Sequence, residues 1–244
     1  MLGLRIHTLP KLNKPIMIAA LPDMGNVAGI GMDFLVKKLK AKLFAEIYAF
    51  WPPAVSYYNG LIKYEQSSYN FHYSQKDNLV FFSGEFNPSD PRRLYELCYE
   101  VVNMAKKLKV DTLYTIGAAL RQTSHTEPKL FAATTASEHL GLLKKENLEL
   151  LNGKGQITGF NGLILGIAKE KQLDGICILS EIDNPNVIQP RSAQLIIAKL
   201  LQILRLRSLD MKELEEEEKR KQFMEQQMSY MNGLARKDNQ PGIA

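Results

Sequence analysis

The chain has 244 residues, 45% of them hydrophobic and 23% charged, which suffices for one sizeable core with an appendage. Its formal net charge is +5, but the lysines are spread over helix faces (Lys37, Lys38, Lys40, Lys42; Lys106, Lys107, Lys109) without forming one dense tract, which argues against nucleic acid as a partner. The longest apolar runs, such as Leu163 to Ala168, fall well short of the roughly 18 residues a membrane-spanning helix needs, and residues 1–14 lack the apolar block of a secretory signal, so no membrane partner and a cytoplasmic location are expected.

The first element is a strand from Lys14 to Leu21, a continuous apolar run stopped by Pro22, as in strands buried on both faces. A glycine-bearing turn follows. From Ile30 to Leu43, apolar Ile30, Phe34, Leu35, Leu39 and Leu43 recur at helical spacing opposite lysines, predicting an amphipathic helix. A second strand spans Phe44 to Phe50 and ends at Trp51-Pro52-Pro53, where two prolines forbid regular pairing. Residues 61–86 interleave aromatic and polar residues around the turn-like Gln75-Lys76-Asp77-Asn78, which predicts an antiparallel meander.

Asp90 and Pro91 form a helix start, cap and first helical position, for a helix ending near Lys109. Val110 to Ile116 reads as a strand broken by Gly117, and Leu130 to Thr135 as a short one after the polar loop Arg121 to Pro128. Ser137 to Leu143 reads as helical, Leu148 to Leu151 as a weaker strand, Gly159 to Glu170 as a helix, and Asp174 to Leu179 as a strand. The last core helix runs from Pro190 to about Arg207. Strands alternating with helices of this length predict a three-layer α/β core, a mostly parallel sheet with helices on both faces, over residues 1–208.

After Ser208 the composition shifts. Glu213, Glu215, Glu216, Glu217 and Glu218 precede Lys219, Arg220 and Lys221, a pairing that supports an isolated helix. Phe223, Met224, Met228, Tyr230, Met231 and Leu234 follow, mostly at helical spacing, so residues 209–234 are expected to form a charged, methionine-rich helical arm. Its stripe either packs back on its own domain or faces a partner, since methionine adapts to irregular apolar grooves. The polar segment 235–244 is expected to be disordered.

Chemistry is sparsely signalled. Cys98 and Cys177 belong to no CxxC or Cys/His cluster. His7, His72, His125 and His139 form no i,i+4 metal pair, and Ser83 and Ser180 lie outside G-x-S-x-G. No metal, cofactor or catalytic residue is expected. One glycine cluster, Gly25-Asn26-Val27-Ala28-Gly29-Ile30-Gly31, lies between a buried strand and a helix, where phosphates rest on backbone N–H groups. Its spacing fits neither G-x-G-x-x-G nor the phosphate-binding loop. It serves either as a tight turn with close helix approach or as a nucleotide- or nucleoside-binding or hydrolytic site using Asp23, Gly25, Asn26 and Gly29.

The run Leu21-Pro22-Asp23-Met24-Gly25-Asn26-Val27-Ala28-Gly29-Ile30-Gly31-Met32-Asp33-Phe34-Leu35 resembles the opening strand, turn and helix of the proteasome assembly chaperone family, in the branch that includes its second eukaryotic subunit and archaeal and bacterial relatives. Trp51-Pro52-Pro53, Thr115-Ile116-Gly117, Phe131-Ala132-Ala133-Thr134-Thr135 and Gly159-Phe160-Asn161-Gly162 fall where that family has similar elements. The resemblance implies a phosphorylase-like α/β fold, homo-oligomers, no established catalytic residues and possible 20S proteasome partners. Some archaeal relatives bind the 20S proteasome through a C-terminal hydrophobic-Tyr-any residue tail. This sequence ends Gly242-Ile243-Ala244, and its nearest match, Met228-Ser229-Tyr230-Met231, is internal.

Overall fold

The computed structural model describes residues 3–48, 55–64, 67–120 and 127–238, the last eleven of them, 228–238, by backbone alone. In chain order the elements are β1 (Gly3–Ile6), β2 (Ile16–Ala19), a 3-10 turn (Met24–Asn26), α1 (Val27–Lys38), β3 (Lys42–Tyr48), β4 (Ser56–Tyr58), β5 (Leu61–Lys63), β6 (Ser68–Ser74), β7 (Leu79–Gly84) and α2 (Pro91–Lys107). Then come β8 (Thr112–Leu120), β9 (Leu130–Thr134), a 3-10 turn (Ser137–His139), α3 (Leu140–Lys145), β10 (Glu149–Leu150), α4 (Gly159–Glu170), β11 (Asp174–Ile182), α5 (Pro190–Ile203) and α6 (Lys212–Asp238).

Nine strands form one sheet in the order β1-β3-β6-β7-β2-β8-β11-β9-β10. The sheet is mixed. Its centre, β7-β2-β8-β11, is parallel, while β1, β3, β6 and β7 pair antiparallel as a flanking block. The other edge adds β9 antiparallel to β11 and β10 parallel to β9. Among the described residues β4 and β5 pair only with each other.

Alternation along the central strands divides the core in two. Met17, Phe71, Phe82 and Leu113 meet Leu97 and Val101 of α2 and Phe160 and Ile164 of α4 on one face. On the other, Ile18, Phe81, Ile116 and Ile178 meet Val27 and Leu35 of α1 and Ile196 and Ile197 of α5. Each such side chain contributes about 1.5–3 kcal/mol when fully buried, so both layers of helices belong to the fold. Leu214 of α6 is buried in the second core, 3% exposed.

Several expectations are corrected. Gly117 does not break its strand: β8 continues to Leu120, paired throughout with an equally prolonged β11, because Gly117 is the strand residue that makes room for a carboxylate. A Cβ there would stand 3.1 Å from Asp23 Oδ2. Leu43 is not on the α1 stripe; α1 stops at Lys38, Lys40 turns the chain at φ +51°, and Leu43 lies exposed in β3. The α5 helix ends at Ile203, short of Arg207. The expected meander is two units, the β6–β7 hairpin inside the main sheet and the separate β4–β5 hairpin. Trp51-Pro52-Pro53 and His125 lie outside the described residues.

Candidate functional site

Three of the motifs that carry the family resemblance, Leu21–Leu35, Thr115-Ile116-Gly117 and Gly159-Phe160-Asn161-Gly162, converge at the carboxyl ends of β2 and β8. Asp23 follows β2, and its carboxylate accepts the Ala28 N–H at 2.9 Å and the Ala118 N–H at 2.6 Å, tying the α1 N-terminus to β8. Burial raises its pKa from 3.8 to about 6, against the pull of those backbone donors. Asn161, at the start of α4, treats Leu21 as a strand partner would: Oδ1 accepts the Leu21 N–H at 2.9 Å and Nδ2 donates to the Leu21 carbonyl at 3.1 Å. Asn87 donates to the Pro22 carbonyl at 3.0 Å and accepts the Phe160 N–H at 3.2 Å. Asn87 and Asn161 therefore satisfy backbone groups left open where β2 ends, and Asp23 does the same for the start of α1 and for β8.

Gly25 and Asn26 both adopt positive φ, +63° and +51°. Gly25 donates its N–H to Pro185 at 2.9 Å and accepts the Gln189 N–H at 2.9 Å. A Cβ on Gly25 would meet Gln189 Cγ at 2.6 Å, so the turn needs glycine for both conformation and proximity. Gln189 in turn donates to Asp183 at 2.7 Å and the Asn184 carbonyl at 3.0 Å, and accepts from Lys221 at 2.9 Å.

Through Gln189 the glycine turn reaches α6. Lys221 is 8% exposed, with Asp183, Glu218 and Glu225 each 4.0 Å from its ammonium. Glu218 accepts the Arg191 N–H at 3.1 Å, capping α5, and Glu213 pairs with Lys37 at 2.6 Å and Lys38 at 3.5 Å. The stem of the arm, expected from its charge pairing as an isolated helix, is thereby clamped on its own domain. Directly after it, Phe223 and Met224 are 60% and 61% exposed. The side chains of Met228, Tyr230, Met231 and Leu234 lie outside the described residues, although the α6 backbone carries them as helix to Asp238, past the expected end at 234.

Of the four residues assigned to a ligand, Asp23, Asn26 and Gly29 line a cleft of about 710 Å³ between α1 and the strands β6 and β7. Gly25 faces the 183–189 loop instead. Met32, Asp33, Val36, Lys37, Asn70, His72 and Glu85 also line the cleft; of the lining residues, sequence spacing had singled out only those beside the glycines. The exposed β4–β5 hairpin, with Tyr57, Tyr58, Leu61 and Ile62 all in solvent, was also missed as a surface, because its composition matches any half-buried hairpin.

Chemistry elsewhere is muted. Burial pushes the Cys177 thiol up to about 11 and the Cys98 thiol higher still, away from the reactive thiolate. Ser180 is sealed in the core. His7 pairs with Glu46 and His139 with Asp174. Among the described residues no group of three His, Cys, Asp or Glu is placed to hold a metal, and no helix is long and apolar enough to cross a membrane.

The fold is similar to that of solved archaeal and bacterial proteins. The Pyrococcus furiosus protein PbaB, an archaeal proteasome activator, superimposes with a TM-score of 0.82 at 24% identity, over 93% of this chain and 98% of its own. PbaA of the same organism, an archaeal homolog of proteasome-assembly chaperone, gives 0.78 at 21% identity, over 96% and 95%. A proteasome-assembly chaperone homologue of Mycobacterium tuberculosis gives 0.69 at 16%, over 88% and 94%. In sequence, an uncharacterized protein of Methanocaldococcus jannaschii is 26% identical over 224 residues, 91% of this chain and 84% of the relative. The sequence pattern of the PAC2 family matches residues 17–229, spanning every motif that meets around Asp23, and the chain belongs to that family.

Proposed function

We propose that this protein is a homo-oligomeric, protein-binding chaperone or adaptor that acts on proteasome assembly or activation, with no catalytic step of its own. The observation that carries the reading is the division of α6. Its first part is held by a buried leucine, a buried lysine and an N-cap contact, so the helix leaves the domain in a fixed direction, and its first residues beyond the clamp are exposed Phe223 and Met224. Large apolar side chains on a rigidly rooted helix are what a partner's groove recognises, at about two or more kcal/mol for a central anchor. Membership of the PAC2 family and likeness to PbaB and PbaA support a proteasome subunit as that partner. The Met228, Tyr230, Met231 and Leu234 positions extend the same stripe.

The test is a pull-down of 20S proteasome by the intact chain and by a Phe223→Asp, Met224→Asp double variant, with far-UV circular dichroism on both. Loss of capture with an unchanged spectrum is the expected result. Equal capture by the variant would contradict the reading.

A further inference from the structure

The β4–β5 hairpin is used neither by the braced turn nor by the arm, and its sequence is that of a built element rather than a connection. Asn59 and Gly60 close it at φ +50° and +77°, both positive as a type I′ turn requires. The strands pair Ser56 with Lys63, Tyr57 with Ile62 and Tyr58 with Leu61. Side chains alternate between the two faces of a strand, so one face carries Tyr57 and Ile62 and the other Tyr58 and Leu61, while Val55 and Tyr64 prolong the apolar surface at the open end. The body of the same domain could cover one of these faces. Instead all ten residues 55–64 are exposed, the six apolar ones by 53% at Val55 to 80% at Tyr57.

We propose that this hairpin is the surface through which two copies of the chain associate, hairpin against hairpin about a two-fold axis. The proposal rests on the homo-oligomeric part of the reading above and names the contact that holds the copies. A two-stranded hairpin with both faces in water is marginal at best, so it needs further cover to persist. Three tyrosines and three aliphatic side chains at these exposures present on the order of 600–700 Å² of apolar surface. That is most of the ~800 Å² that each side of a stable interface contributes.

The chemistry of the patch points to a second copy as the occupant. Lys63 is the single charged residue among the ten, and its ammonium lies 5.9 Å from the Tyr58 ring centroid, which leaves little for a partner of opposite charge to read. The core of a homodimer interface is poor in charge in this way, whereas transient partners are steered by charge. The strand edges agree. Neither strand has a further partner among the described residues, so each leaves one edge open. Lys63 blunts that of β5, but Val55 to Tyr58 on the β4 side contains neither a charge nor a proline. Antiparallel pairing of this edge is satisfied by the same edge of a two-fold copy, so the surface is self-complementary.

Native mass spectrometry and light scattering of the full chain test this with a Tyr57→Glu, Ile62→Glu double variant. The parent should be an oligomer, and the variant should associate about tenfold or more weakly, with an unchanged far-UV circular dichroism spectrum because both positions are exposed. Tyr95→Glu, at an exposed tyrosine of α2, should keep the parent's mass. A second readout leaves the contact intact: Ser56→Cys should be joined to its copy by a short bismaleimide, while the parent, whose Cys98 and Cys177 are buried, should not. An oligomer that survives the double variant, or a Ser56→Cys chain that forms no cross-link, would overturn the proposal and leave the homo-oligomeric reading standing; a monomeric parent would overturn both. Loss of 20S proteasome capture by the double variant at unchanged native mass would give the hairpin to the proteasome and overturn the proposal as well.

Discussion

The two parts of α6 have similar helical periodicity and opposite roles. From Lys212 to Lys221 the helix is written in charges, yet it is part of the fold; from Phe223 onward it is written in apolar residues, and the first of them are exposed. Composition alone suggests the reverse. The difference is made by two side chains: Leu214, which enters the core between α1 and α5, and Lys221, which reaches a hydrogen bond on Gln189 that nothing in the local sequence announces. Exposed ion pairs such as Lys37–Glu213 are worth little alone; they follow from the seating of Leu214 rather than causing it. A glutamate-rich helix can thus be an integral element, and its methionine-rich continuation a presented one.

The comparison can be broken first at Leu214. Leu214→Ala should cost about 2–3 kcal/mol in urea unfolding and raise hydrogen exchange along the stem; a loss below about 0.5 kcal/mol would show that the stem is not part of the core. The next largest effect is at Asp23, to which the glycine turn is tied. Its folded pKa of about 6 lies above the unfolded value of 3.8, so the folded state binds the extra proton. Its contribution is therefore fully present below about pH 4 and is lost as pH rises through about 6, by on the order of 2–3 kcal/mol. Subtracting the unfolding free energies of Asp23→Asn from those of the parent across that range should expose the slope.

The clamp titrates in the opposite sense. Burial pushes the Asp183 carboxyl up, but the Gln189 hydrogen bond and the Lys221 charge outweigh it and leave the pKa lowered; the Lys37 hydrogen bond chiefly lowers that of Glu213. Both contribute above the ordinary carboxylate pKa and lose their contribution as pH falls below it. The protection factors of the stem amides should therefore fall in acid while those of the α2 and α4 amides hold. Lys221→Met should cost about 1 kcal/mol, the worth of one buried hydrogen bond. The smallest effect belongs to the presented part: Phe223→Ala should leave the melting midpoint nearly unchanged, since that side chain is 60% exposed.

Much of the fold was legible. Asp90 accepts the Arg92 N–H at 2.8 Å with Pro91 at the first helical position, as the cap rule requires. Gly159–Glu170 is helical over the predicted span, and the layered α/β architecture followed from element alternation. What could not be read were features decided across the chain. Gly117 looks like a strand breaker until Asp23, far away in sequence, is seen against it. β1 has too few apolar residues to signal itself and is fixed by pairing with β3. The glycine cluster forms one part of the cleft wall, but Asp33 of α1, His72 of β6 and Glu85, just past β7, are brought to the same cleft only by the sheet order.

The most direct test is native mass and thermal midpoint measured together on a chain truncated after Gln222. The account predicts that the midpoint stays at the parent value, because Leu214 and Lys221 are retained, while the particle loses subunits or its partner. A truncated chain of unchanged native mass that still captures the proteasome, or one that no longer folds, would contradict the division of α6 into a built-in stem and a presented end.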